Sequence, residues 1–121
     1  MGYRGDETTG FQSPAQDFIE GVVDLAVLLD LHKPGRYPVR VKGQELRERG
    51  ISDGDILVVD AAADPKAGKV CVVMVGGDVI LAVLRRRGDE WLLRPASGVP
   101  IPITGDVEIW ATVEALVRRN P

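Results

Sequence analysis

Gly50-Ile51-Ser52-Asp53-Gly54-Asp55-Ile56-Leu57-Val58-Val59-Asp60 is the stretch on which the fold class turns. Asp53-Gly54 is turn chemistry, because glycine supplies backbone angles closed to other residues and aspartate bonds its own local backbone. A short apolar run rich in β-branched residues follows at once and ends on an aspartate, which marks a strand in a sheet. The same texture recurs on both sides. Upstream, Tyr37 to Val41 alternates apolar with other residues. Downstream, Lys69 to Val75, Val79 to Leu84, Trp91 to Arg94 and Val107 to Val117 are runs of the same kind, separated by Gly, Asp and Pro clusters. Gly76-Gly77-Asp78 fits a tight hairpin. About six strands at this spacing predict a mainly β fold.

One helix is expected ahead of the strands. Ser13-Pro14-Ala15-Gln16 places a capping serine, a proline at the first helical position and a glutamine three after the cap, which together satisfy the free amides of a helix start. Phe18, Val22, Leu25, Leu28 and Leu29 continue as a stripe at helical spacing. The pattern predicts a helix from Ser13 to about Leu31, broken near Gly21, recapped by Asp24 and ended by His32-Lys33-Pro34-Gly35. Residues 1–12, polar and dotted with Gly2, Gly5 and Gly10, read as a flexible arm before one domain at 13–121.

The 121 residues fit one domain, with 45% hydrophobic and 27% charged residues, an ordinary globular balance. A formal net charge of -3 argues against a protein that coats a nucleic-acid backbone, so direct DNA binding is not expected. Cys71 is the single cysteine, which excludes an intramolecular disulfide and points to a reducing, cytoplasmic location. The start carries no apolar leader and no run approaches the ~20 apolar residues that span a bilayer, so a soluble protein without membrane contact is expected. Asp6 stands where a myristoylation signal wants Ser or Thr. Neither a cofactor nor a metal is expected; His32 has no companion ligands.

Two stretches, Gly10-Phe11-Gln12-Ser13-Pro14-Ala15-Gln16-Asp17-Phe18 and Gly50 to Asp60, together resemble the UmuD and LexA family of self-cleaving serine peptidases. Gly68-Lys69-Val70-Cys71-Val72-Val73 and the surroundings of Ile101-Pro102-Ile103 extend the resemblance in the same order, nearly unbroken from Gly10 to the C-terminus. It implies a twisted β fold of the LexA and UmuD peptidase type with an N-terminal helix. It also implies a serine nucleophile and a lysine base that cut a bond in the protein's own arm. In that chemistry a lysine desolvated among apolar neighbours loses its proton and accepts one from the hydroxyl.

The two catalytic positions depart from that pattern. The segment that resembles the family's nucleophile motif reads Gly43-Gln44-Glu45-Leu46, which puts Glu45 at the nucleophile position. An ungapped reading from Gly76-Gly77-Asp78 puts Ala82 at the base position. A shift of alignment does not help, since Val39 to Ile51 holds no Ser, Thr or Cys and Val79 to Leu84 holds no titratable side chain. Arg85 stays protonated and makes no base. Thr9-Gly10 stands at the vestigial cleavage bond, so the chain looks like a UmuD relative held in its processed form, with no catalysis of its own.

The resemblance then implies a noncatalytic accessory protein: a homodimer that binds a UmuC-like, Y-family translesion DNA polymerase in SOS mutagenesis and the DNA damage response. The RecA filament and the sliding clamp are further candidate partners. Two alternatives stay open. One is a Ser-Lys self-cleaving peptidase that uses unrecognised residues or a partner subunit, and the other is the regulatory domain of a LexA-like transcriptional repressor. The apolar run Val107 to Val117 looks too hydrophobic for an exposed terminal strand, so it is expected at or beside the two-fold interface.

Plainer readings belong to the remaining candidates. Gln44-Glu45-Leu46-Arg47-Glu48-Arg49 reads as a solvated turn with a weak Glu-Arg pair. Arg85-Arg86-Arg87 before Gly88-Asp89-Glu90 reads as a charged hairpin end. Ser52 and Ser97 are turn residues without an activating neighbour, and Trp91 and Trp110 read as core or interface anchors.

Overall fold

The structure, a computed structural model, describes residues 19–44 and 46–119. Each run read as a strand forms one: β1 (Arg36–Arg40), β2 (Ile56–Asp60), β3 (Val70–Val75), β4 (Asp78–Arg87), β5 (Glu90–Pro95) and β7 (Val107–Val117). The two-residue β6 (Ile101–Pro102) adds a short ladder to β5. Every pairing is antiparallel and the order across the sheet is β1-β2-β7-β3-β4-β5-β6. Among the described residues no helix is long and apolar enough to cross a membrane.

Successive side chains of a strand point to opposite faces of its sheet, and here both faces are buried in the middle. Val70 and Val72 of β3 and Val83 of β4 join Leu57, Val59 and Ala111 on one face, closed over by Val41, Leu46 and Ile51 from the segment between β1 and β2. Cys71, Val73, Ala82, Leu84 and Leu93 form the cluster on the other face, with Ile80, Ile101, Val107 and Ile109 packed against it. This is why β2, β3 and β4 are near-continuous apolar runs rather than alternating ones.

Strand β7 has a pattern, Val-Glu-Ile-Trp-Ala-Thr-Val-Glu-Ala-Leu-Val, that breaks strict alternation twice, and the pairing gives the cause. Val73 faces Ile109 while Val72 faces Ala111, so Trp110 is an extra residue; Val59 faces Val113 while Val58 faces Ala115, so Glu114 is another. Each bulge moves the apolar residues after it to the opposite parity. Val107 and Ile109 thus serve one cluster, Ala111 and Val113 the other. The strand also lies between β2 and β3, not at an edge. Val107, Ile109, Ala111 and Val113 are used inside the chain, while Leu116 stays 37% exposed.

The N-terminal helix is far shorter than the pattern predicts. It is one turn, α1 (Leu25–Leu28), capped as expected by Asp24, whose carboxylate accepts from the Val27 amide at 3.3 Å. Residues 19–23 take no helical conformation, and Ser13 to Phe18 lie outside the described residues. The apolar stripe packs poorly: Val22 is 69% exposed, Leu25 51% and Leu28 64%, and Leu29 is half-buried. A helix this short without a packed face is marginal, and Gly21 with the β-branched pair Val22-Val23 adds poor propensity.

The segment after α1 is tied to the sheet through Arg36. Its guanidinium donates to the Leu29 carbonyl and to Asp60 Oδ2, both at 3.0 Å, while the Ala62 amide donates to Asp60 Oδ1 at 2.8 Å. The Arg36 hydrogen bond, then the Ala62 amide, outweigh burial and hold the Asp60 carboxyl below the usual carboxylate range. Gly35 makes the approach possible. Its φ is +85°, and a Cβ there would meet the Ala62 Cβ at 3.0 Å and the Ala62 nitrogen at 3.2 Å. Gly35→Ala is therefore expected to destabilise the fold by about 2 kcal/mol, read as a lower urea midpoint with unchanged slope.

Candidate functional site

The segment from Val41 to Asp55 is a folded excursion between β1 and β2 rather than a solvated turn. Its base is closed by the Val41 amide donating to Asp55 and the Gly54 amide donating to Val41, both at 2.8 Å. Farther out, Leu46 and Ile51 bridge through reciprocal backbone bonds around a 3-10 turn at Arg47–Arg49, with Gly50 in the left-handed region that ends it. Leu46, 1% exposed, and Ile51, 3%, drive this hook into the first cluster. Glu48 pairs outward with Arg94 at 3.8 Å and Arg85 at 4.0 Å.

Arg118, just past β7, clamps the excursion. Its Nε donates to Asp55 Oδ1 at 2.7 Å, and its Nη2 donates to Asp55 Oδ2 at 2.6 Å and to the Gly50 carbonyl at 2.7 Å. A bidentate guanidinium-carboxylate fork fixes direction as well as distance. The Arg118 hydrogen bond first, then the Ser52 amide, overcome burial and bring the Asp55 carboxyl down to about 2. Sequence reading missed this pair because 63 residues separate its members.

What the clamped excursion presents is Gln44. The Gln44 carboxamide reaches the free edge of β4, where Oε1 accepts from the Leu81 amide at 2.8 Å and Nε2 donates to the Val79 carbonyl. Beside it lies an open apolar hollow of about 280 Å³, lined by Val39, Val41, Leu57, Val72, Leu81 and Trp110. Trp110 stacks on Tyr37 with ring centroids 6.2 Å apart, so it walls this hollow and packs on the first cluster.

Ala82 is one residue from the atom that Gln44 grips. Its side chain is fully buried in the second cluster, paired across the sheet with Cys71 and Pro95, on the face opposite Leu81 and the hollow. Any side chain at 82 is surrounded by apolar groups, an environment that strips a lysine of its proton; alanine offers only a methyl. Glu45, Thr9 and Gly10 lie outside the described residues.

The other candidates do not form a second reactive centre. Cys71 is fully buried and its thiol is pushed up to about 11 by that burial, so it holds no thiolate at neutral pH. His32 and Ser97 are exposed, and Ser52 is half-buried with its amide bonded to Asp55. Trp91 is 38% exposed, not a core anchor, with the Arg86 guanidinium 5.3 Å above its ring. Arg85 to Arg87 end the β4-β5 hairpin as expected, Arg86 pairing with Asp89 at 3.8 Å. Among the described residues no group of three or more His, Cys, Asp or Glu is placed to hold a metal ion.

The profile of the family described as Peptidase S24-like matches residues 3–114 of this chain. The LexA repressor of Acidovorax sp. (strain JS42) is 36% identical over 81 residues, which is 67% of this chain and 36% of the repressor. Protein SamA of Salmonella typhimurium (strain LT2) is 27% identical over 111 residues, 92% of this chain and 79% of SamA. Protein MucA of Salmonella typhimurium is 28% identical over 118 residues, 94% of this chain and 81% of MucA. The chain thus spans about a third of the length of that repressor and about four-fifths of SamA and MucA.

Proposed function

The chain belongs to the Peptidase S24-like family, and on that premise we propose that it is a noncatalytic member that works by binding, as the accessory partner of a Y-family translesion polymerase in the DNA damage response. The observation that carries the noncatalytic half is Ala82. It occupies a dry apolar position suited to a neutral lysine, and no titratable side chain lies anywhere from Val79 to Leu84. With Glu45 where the nucleophile's hydroxyl belongs, both members of the proton-transfer pair are replaced, and the family bond at Thr9-Gly10 stays uncut by this chain. The matches to SamA and MucA, running over more than nine-tenths of this chain, support the UmuD-like reading over a fragmentary likeness.

The protein acts in the cytoplasm as a homodimer. The exposed apolar residues around α1, among them Val22, Val23 and Leu28, supply surface for such contacts. The test is size-exclusion chromatography with light scattering, first alone and then with a UmuC-like polymerase. The expected result is twice the chain mass alone and a joint peak with the polymerase; separate elution of the two proteins contradicts the accessory role. A second reading, the regulatory domain of a LexA-like repressor, is favoured by the 36% identity to such repressors. It predicts association with a DNA-binding segment and indifference to the polymerase.

A further inference from the structure

At the β4 edge, backbone groups beside the hollow are met by a side chain instead of a strand. Strand β5 pairs with β4 from Arg87 down to Ala82, where its partner is Pro95. The β4-β5 ladder ends there. The outward groups of Val79 and Leu81 lie beyond that point, with β3 on their other side. Left alone they form a two-group template for an added strand.

Gln44 meets that template with matching polarity. In a parallel ladder a residue donates its N–H to the carbonyl before its neighbour and accepts with its C=O from the amide after it. Gln44 Nε2 donates to the Val79 carbonyl and Oε1 accepts from the Leu81 amide, the pattern of one residue on a strand parallel to β4 and centred on Ile80. Only one orientation of the carboxamide works, since the flipped form sets donor against donor. We propose that Gln44 is a built-in plug: its side-chain amide stands in for a residue of a docked strand and closes the β4 edge to extended peptides. The plug depends on the hydrogen bonds of Gln44 and not on whether positions 45 and 82 are catalytically inert.

The outer edge of the sheet at β1 is protected by different means. The Arg36 amide donates to the Lys33 carbonyl at 3.2 Å, and Pro38 has no amide. Its protection does not involve Gln44, so a change at Gln44 acts on the β4 edge alone.

The experiment is amide hydrogen exchange by NMR on the full chain, comparing wild type with Gln44→Ala and with Gln44→Asn, whose shorter side chain does not span both groups. The Leu81 amide is expected to exchange about tenfold faster in both variants, while amides between β3 and β4 keep their protection and report that the fold is intact. An unchanged Leu81 rate in a folded variant overturns the plug. A fluorescent peptide of alternating threonine and valine then probes the edge itself. Binding to Gln44→Ala but not to wild type is the expected result; equal binding to both, or binding to neither, overturns the closure.

Discussion

Ala82→Lys is expected to destabilise the chain by about 3–5 kcal/mol at pH 7 and to make its stability rise with pH. The side chain at 82 is fully buried among Cys71, Leu84 and Leu93. Four methylenes and an ammonium do not fit without displacement, an overpacking cost of about 1–3 kcal/mol. Desolvation adds the larger part by lowering the lysine pKa in the folded state, and each unit of lowering costs about 1.4 kcal/mol while the unfolded chain is protonated. Because the folded pKa is below the unfolded value near 10.4, the unfolded state binds the extra proton and stability climbs by about 1.4 kcal/mol per pH unit between the two. Denaturant melts from pH 7 to 10 read this directly. A flat profile would mean that the lysine escapes to water. In the same background, Glu45→Ser is expected to restore slow cutting at Thr9-Gly10, whereas neither substitution cuts alone. A lone hydroxyl lacks a base and a lone lysine lacks a nucleophile.

Arg118→Ala is expected to lower the melting temperature by about 10 °C at pH 7. The guanidinium makes three hydrogen bonds, two of them to an Asp55 carboxylate that is 3% exposed. Its removal leaves that charge with the Ser52 amide as its remaining described partner and frees the Gly50 carbonyl. The pH dependence follows from the direction of the shift. Asp55 is lowered to about 2, so its contribution is complete above the unfolded carboxylate value near 4 and is lost as pH falls toward 2. Wild type should therefore lose this stability between about pH 4 and pH 2, and Arg118→Ala should lose less over that window. Equal acid sensitivity in both proteins would remove Arg118 as the cause.

The strands were legible because local chemistry and burial agree. Val70 to Val73 reads as a buried strand and is one, and Asp53-Gly54 and Gly76-Gly77 turn where their residues demand. The helix was misread in length because capping residues and a 3.6-residue stripe say nothing about whether a surface exists to receive the stripe, and around Val22 to Leu28 none does. The position of β7 was invisible for a related reason. A long apolar C-terminal run does not name its neighbours, and only the pairing places it between β2 and β3. At the site, Ala82 could be placed by counting from a turn, but Gln44 could not be singled out. Its partners, Leu81 and Val79, are 37 and 35 residues away, and a glutamine in a charged hexapeptide carries no local signal of a backbone grip.

The absence of self-cleavage is the central claim, and intact-mass measurement of the purified wild-type chain after prolonged incubation at pH 10 tests it most directly. Alkaline pH deprotonates a family-type lysine and gives any hidden base its best chance, while loss of the nucleophile alone costs a serine peptidase about a millionfold in turnover. A single mass, that of the full chain, is expected throughout the incubation. A fragment beginning at Gly10, formed at a rate independent of protein concentration and unaffected by inhibitors of contaminating proteases, would contradict it.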